Sequence, residues 1–258
     1  MSFSALAAYQ RCPRQFYLER VLRLALTAAR PGGEDEGADR TGDGMLDDDE
    51  QHAGRNVGIL VHALLETLPA DGPPTADSVR SVAEEVLAGM GLDVSADELG
   101  RVVALTLAFW DSPETERLSA PSAMREVPFL FAADETLVSG IMDLVCPDDD
   151  CWRIVDYKTN ALEGRSPAEL AETYMLQASV YCLAALRAGA PAVHMDFLFL
   201  ERPSEPVTVG FGPDDVPRLE DDVAKAFAGL RGGSFPMRAG EACGRCSAAR
   251  VCASMTRA

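Results

Sequence analysis

Residues 140–160 read GIMDLVCPDDDCWRIVDYKTN, two apolar runs separated by a turn. The first run carries a single acid, Asp143; the second carries Asp156 and Lys158. Runs of this length on either side of the Pro147–Asp150 turn predict an antiparallel hairpin. A lone carboxylate in such a strand is costly to bury unless a cation or hydrogen bonds compensate. Asp143 and Asp156 lie thirteen positions apart and can converge across the turn. A hard divalent ion, which takes oxygen ligands, would relieve their mutual repulsion. Asp156 and Lys158 are two apart, so on a strand they point to the same side. The ammonium can then reach a metal-bound water or a phosphate oxygen. An ion that acidifies water and neutralises phosphate charge, beside a lysine, meets the needs of phosphodiester hydrolysis. A bare D-x-K is more often a structural ion pair at a sheet edge, so the flanking sequence has to tip the balance.

Outward from the hairpin, Arg125–Ala132 alternates like a strand, and with Leu137–Cys146 and Cys151–Tyr157 it predicts an antiparallel meander. Pro167–Ala188 predicts a strong helix with proline in its first turn. Val193–Glu201 and Val207–Phe211 predict two further strands that pair, and Asp214–Leu230 a last helix. Upstream, Ser4–Leu24 predicts a helix with Ser4 as its N-cap and a break near Pro13. Val57–Leu68, Asp77–Gly89 and Ala96–Asp111 predict three more helices from their apolar spacing. No internal repeat is visible. This order gives an α/β (α+β) class, a mixed sheet flanked by helices.

The organisation is that of one domain in five parts. These are an N-terminal helix (1–30), an acidic disordered loop (31–55), a helical part (56–120), a core (121–230) and a cysteine-bearing tail (231–258). The chain has 258 residues and a net charge of −18, which argues against a nucleic-acid partner held by long-range attraction. Between Pro31 and Arg55 nine acids face two arginines, −7 of that total, as expected of a disordered acidic stretch. Any nucleic acid would therefore bind through a local groove. The chain contains only two lysines against 21 arginines, so Lys158 stands out. No apolar run is long enough for a membrane helix and the first residues lack a signal-peptide pattern; the expectation is a cytoplasmic protein with no membrane partner.

Seven cysteines, an odd number, argue against a disulfide framework. Cys243 and Cys246 form C-x-x-C, with Cys252 close behind, a spacing that favours metal binding over free thiols. A tetrahedral Zn²⁺ or a four-cysteine iron–sulfur cluster needs a fourth ligand. Cys146, Cys151 and Cys182 lack metal spacing and read as small core hydrophobes.

The Gly140–Asp143 and Ile154–Lys158 motifs together resemble the PD-(D/E)XK nuclease superfamily, in its RecB-like branch of AddB- and Cas4-type exonucleases. Other positions join the resemblance in the right order along nearly the whole chain. His62 resembles a helix-borne metal-binding histidine, Glu126 the acid before the core hairpin, and Gln177 with Tyr181 the Q-x-x-x-Y helix motif. Cys12 and its setting resemble the opening helix of the family. The acidic insert before His62 is a departure. The resemblance implies a restriction-endonuclease-like fold and a metal-dependent DNA exonuclease. Mg²⁺ or Mn²⁺ would be bound by His62, Asp143, Asp156 and the main-chain carbonyl of Tyr157. Glu126 would assist, Lys158 would position the attacking water, and Gln177 and Tyr181 would support the site or touch the strand. The resemblance further implies a 4Fe–4S cluster on Cys12, Cys243, Cys246 and Cys252, with Zn²⁺ the alternative occupant. It also implies single-stranded DNA or duplex ends as substrate in recombination, repair or CRISPR-type processing. No P-loop is present in the sequence, so ATP-driven unwinding would come from a helicase partner. Two competing readings are a catalytically inactive DNA-end-binding scaffold and an iron–sulfur electron carrier; the latter leaves the acidic hairpin unexplained.

Overall fold

The computed structural model describes residues 1–24, 49–68, 72–110, 112–118, 120–240, 243–244 and 246–255. Its centre is a five-stranded sheet in the order β1-β2-β3-β4-β5. The strands are β1 (Met124–Ala133), β2 (Thr136–Cys146), β3 (Trp152–Lys158), β4 (Val193–Phe199) and β5 (Val207–Phe211). β1, β2 and β3 form the expected antiparallel meander, β3 and β4 run parallel, and β5 returns antiparallel to β4. The sheet is therefore mixed, with helices before it and in the β3–β4 crossover, as the sequence pattern implies. β4 is buried at every position but His194, as expected of an interior strand with a parallel neighbour.

The helices are α1 (Phe3–Arg11), α2 (Pro13–Phe16), α3 (Asp49–Thr67), α4 (Ala76–Met90) and α5 (Ala96–Trp110), followed by the short α6 (Thr115–Leu118). After β3 come α7 (Pro167–Ala171) and α8 (Met175–Arg187), and after β5 come α9 (Val216–Arg231) and α10 (Ala249–Met255). The start of α1 differs from expectation. Ser2, not Ser4, is its N-cap and accepts from the Ala5 amide at 3.2 Å. The chain then breaks at Cys12, and Pro13 opens α2 in the first-turn position that needs no amide hydrogen. Helix α3 begins at Asp49, inside the stretch read as an acidic loop; the rest of that loop, through residue 48, lies outside the described residues. The helix read as Pro167–Ala188 is interrupted by a 3-10 turn at Glu172–Tyr174, where the Thr173 hydroxyl bonds back to the Leu170 carbonyl at 2.7 Å. At its start, Ser166 and Glu169 form a reciprocal capping box beside Pro167.

The chain forms two compact units. The first joins residues 1–52 and 224–258; the second is residues 53–223. In the second, Leu144, Val155, Tyr157 and Leu198 of the sheet pack with Leu60, Val61 and Leu64 of α3 and with Val102, Leu105 and Phe109 of α5. In the first, the two chain ends are stitched together. Tyr9 donates its hydroxyl to the Ser234 carbonyl at 2.6 Å, and the Arg14 amide bonds the Pro236 carbonyl at 3.2 Å. Gln10 donates to the Ala226 carbonyl at 2.9 Å and Ser247 to Glu19 at 2.5 Å. None of the seven cysteines is in a disulfide; Cys182 is buried as expected, but Cys146 and Cys151 are only half-buried. Cys146 packs at the margin of the core, with its thiol toward the Arg117 carbonyl. No described helix is long and apolar enough to cross a membrane.

Candidate active site

The β2–β3 ladder pairs Leu144 with Val155 and goes no further toward the strand ends that carry the acids. One more step of the same register sets Asp143 opposite Asp156. There the Asp143 side chain replaces the missing ladder bond: its Oδ2 accepts from the Tyr157 amide at 2.8 Å. On the other side, the β1–β2 register skips the step that would pair Glu126 with Asp143. Glu126 instead has φ 49, a left-handed backbone that costs a non-glycine residue energy and is tolerated where surroundings enforce it. Three neighbouring strands thus bring Glu126, Asp143 and Asp156 into one row.

Helix α3 supplies the fourth group. His62 Nδ1 lies 3.4 Å from Asp143 Oδ1. One donor atom each from His62, Glu126 and Asp143 falls within 4.8 Å of the other two, the one such trio of potential metal ligands among the described residues. The helix is held in place by Arg125, the residue before Glu126. Its Nη1 reaches the carbonyls of Leu65, Glu66 and Leu68 at 3.0, 2.7 and 2.8 Å. These are acceptors left open at the C-terminus of α3, which a cation there satisfies.

Lys158 points at the same row. Its Nζ lies 2.5 Å from Asp156 Oδ2 and donates to Gln177 Oε1 at 2.8 Å. The Gln177 amide nitrogen in turn donates to Asp156 Oδ1, so one glutamine fixes both members of the pair. The ammonium also sits over the Tyr174 ring, 4.1 Å from its centroid, a favourable cation–π placement. Tyr174 donates its hydroxyl to Asn160 Oδ1 at 3.1 Å. Tyr181 is buried, hydrogen-bonds with Gln177 and meets the Phe129 ring edge-on at 5.3 Å. The Tyr157 ring has its centroid 5.9 Å from that of His62 and 5.3 Å from that of Phe109 in the core.

The electrostatics are those of a site short of positive charge. Burial pushes the Asp156 carboxyl up to about 6, with Asp143 adding to the rise and Lys158 opposing it. Its Oδ2 is buried and accepts no hydrogen bond of regular geometry despite the nearby ammonium. Burial, then Asp143, raises Glu126 as well. For His62, burial alone would lower the value. The charge and hydrogen bond of Asp143, with Asp156 and Glu126 behind it, override burial and raise it to about 9. Burial raises Tyr181 too, helped by Asp156 and Asp143. A histidine and two carboxylates with converging donor atoms, beside a third, buried carboxylate, fit a divalent cation.

All eight residues singled out for this site in the sequence, His62, Glu126, Asp143, Asp156, Tyr157, Lys158, Gln177 and Tyr181, therefore lie in one neighbourhood. Tyr157 contributes through its backbone amide to Asp143. Sequence reasoning misses the parts played by Arg125, Asn160 and Tyr174. Tyr174 stands three before Gln177, a helical neighbour spacing that offers a signal; Arg125 and Asn160 carry none.

The four cysteines lie in the first unit. Cys246 is half-buried, and burial, then the nearby Cys12 and Cys243 with Glu19, push its thiol up against the opposing Ala248 amide. Cys12, Cys243 and Cys246 are thus electrostatic neighbours. Among the described residues, no three cysteines bring their sulfurs within 4.8 Å of one another.

A mixed sheet with flanking helices and an acid–acid–lysine hairpin defines a restriction-endonuclease-like α/β protein. The model of the PD-(D/E)XK nuclease superfamily matches residues 1–253, and the chain belongs to that superfamily. Among curated proteins, an ATP-dependent helicase/nuclease subunit from Bacillus cereus strain AH187 is 30% identical over 152 residues, covering 49% of this chain. Its counterpart in Bacillus thuringiensis subsp. konkukian is likewise 30% identical over 152 residues. The match spans 12% of the length of these relatives. A crystal structure of a candidate exonuclease from Eubacterium rectale superposes with a TM-score of 0.53 at 11% identity, covering 97% of this chain and 87% of its own.

Proposed function

We propose that this chain is a divalent-metal-dependent deoxyribonuclease that hydrolyses phosphodiesters in single strands or at DNA ends, of the RecB-like exonuclease kind. The observation that carries the reading is the convergence of His62, Glu126 and Asp143 next to the Asp156–Lys158–Gln177 group. His62, Asp143, Asp156 and the Tyr157 carbonyl would hold Mg²⁺ or Mn²⁺, with Glu126 assisting or holding a second ion. Bound there, the ion would supply an acidified water and neutralise charge on the phosphate.

The chain's own residues do the rest. Gln177 Oε1 and the Tyr174 ring hold the Lys158 ammonium in place, so one of its hydrogens is free to orient the attacking water or bond a phosphate oxygen. The Tyr157 amide fixes Asp143, and Gln177 fixes Asp156, so neither carboxylate needs to reorganise when charge develops. Tyr181, edge-on to Phe129, hydrogen-bonds with Gln177 and supports it.

The Bacillus relatives are helicase/nucleases, and a helicase partner in recombination or repair is proposed here by analogy. The four cysteines offer the donor chemistry of a 4Fe–4S cluster or a Zn²⁺ site; their proposed role is to staple the chain ends. The test of the activity is digestion of end-labelled single- and double-stranded DNA with Mg²⁺ or Mn²⁺. Wild type should degrade DNA and Asp156→Asn should not. Equal inertness of the two proteins would return the scaffold reading to the front.

A further inference from the structure

The charge of the molecule is not spread evenly. Residues 53–223 hold thirty acids against eleven basic side chains, a net −19. The two end segments, 1–24 and 224–258, hold ten basic side chains against two acids, a net +8, while 25–52, in the same unit, carries −7. In the second unit Arg101, Arg117, Arg153, Arg187 and Arg218 each sit in an ion pair with a carboxylate. In the first unit Arg11, Arg14, Arg20 and Arg23 form no ion pair among the described residues.

The first unit also carries an open cleft of about 600 Å³, lined by Arg14, Tyr17 and Gly233–Pro236, a volume in the range of small-ligand sites. Tyr17 and Phe235 stand side by side at its wall, ring centroids 4.7 Å apart and planes 31° apart. The wall is stiff. Phe235 stacks on buried Phe16 and meets Tyr9 edge-on, while Tyr9 and the Arg14 amide tie the 234–236 segment to α1 and α2. A guanidinium with no carboxylate partner among the described residues, beside fixed aromatic rings, is the combination that holds a base by stacking and its phosphate by charge.

We infer that this cleft is a docking site for one nucleotide of single-stranded DNA, with the base against Tyr17 and Phe235 and the phosphate on Arg14. It explains how a chain of net −18 can engage a polyanion: through its basic ends. The inference rests on the proposed DNA substrate but concerns binding, not cleavage.

The test is anisotropy of fluorescein-labelled (dT)20 titrated with the full chain carrying Asp156→Asn, without added divalent metal, over a salt series. That background binds but cannot cut, so failure of the nuclease reading and failure of this site separate. Tyr17→Ala should weaken binding about tenfold and Tyr17→Phe should restore it to within about twofold. Arg14→Ala should lower the slope of log Kd against log salt by about 0.7, one phosphate contact on a single strand. Melting curves check that each variant folds. Parent-like affinity and slope in both Arg14→Ala and Tyr17→Ala would overturn the site, as would absence of (dT)20 binding by the parent. Weakened binding in these variants alongside a wild type that never cleaves would keep the site and remove the nuclease.

Discussion

The two units of this protein solve different problems. Residues 53–223 concentrate negative charge, bury carboxylates in a sheet and place a lysine and a histidine against them. The ends of the chain concentrate positive charge and cysteines, and are knit by hydrogen bonds between segments more than 200 residues apart. In the first case the site is specified by neighbouring strands, so a dozen residues around one turn carry most of the information. In the second, nothing local holds the ends together, and the long loop between them costs conformational entropy. A reactive centre can thus be locally encoded while a binding surface on the same chain depends on long-range closure.

The sharpest break of this contrast is chemical. Asp143→Asn should lower DNA cleavage by roughly 10²- to 10³-fold, by analogy with loss of a preorganised electrostatic group, while (dT)20 binding by the terminal unit stays near wild type. Cleavage within tenfold of wild type would dissociate Asp143 from the chemistry. Next in size, Cys246→Ser should remove metal from the protein, measured by elemental analysis, and lower the melting temperature. In that variant the stabilisation by added Mn²⁺ should persist, because His62, Glu126 and Asp143 lie in the other unit. Unchanged iron and zinc content would take the cysteines out of metal binding. Gln177→Ala frees both Lys158 and Asp156 and should cost about 10- to 100-fold in activity, the usual scale for a residue that orients a metal ligand. Gln177→Glu tests the role further: it keeps the acceptor for Lys158 but loses the donor to Asp156, and should recover only part of the loss.

The sequence was most legible where chemistry and periodicity agree. The five strands fall within one or two residues of their expected bounds because apolar runs end on clear turn signals such as Pro147–Asp150. The Asp143, Asp156 and Lys158 grouping followed from strand alternation alone, whereas His62, Glu126, Gln177 and Tyr181 were visible only through the family resemblance. What stayed hidden depends on backbone geometry. The left-handed turn of Glu126, the end of the β2–β3 ladder at Leu144 and the capping of α3 by Arg125 are consequences of packing three elements together. The parallel pairing of β3 with β4 is signalled by the helix between them and not by the strands themselves, since a buried apolar strand looks the same in either direction. The aromatic cleft at Arg14 and Phe235 joins residues over 200 positions apart, which no local pattern reports.

The smallest expected effect is the most diagnostic of how the core site is poised. Without metal, His62 in the folded protein titrates at about 9 instead of its ordinary 6.5. The stability it gains by holding a proton is fully present below pH 6.5 and is lost as pH rises toward 9. Asp156, raised to about 6 from its ordinary 3.8, adds a penalty of the same sign, which sets in as pH rises from about 4 to 6. The metal-free protein should therefore weaken with rising pH across both windows. A cation reverses this, because it requires a neutral imidazole and an ionised carboxylate. Mn²⁺ affinity should then climb by up to about tenfold per pH unit between pH 7 and 9, with close to one proton released per ion. Calorimetry in buffers of different ionisation enthalpy reads both quantities. In His62→Ala the climb should flatten and the proton release vanish. A wild-type affinity that is level across that window would mean the imidazole is not displaced from its proton, and the histidine would leave the ligand set.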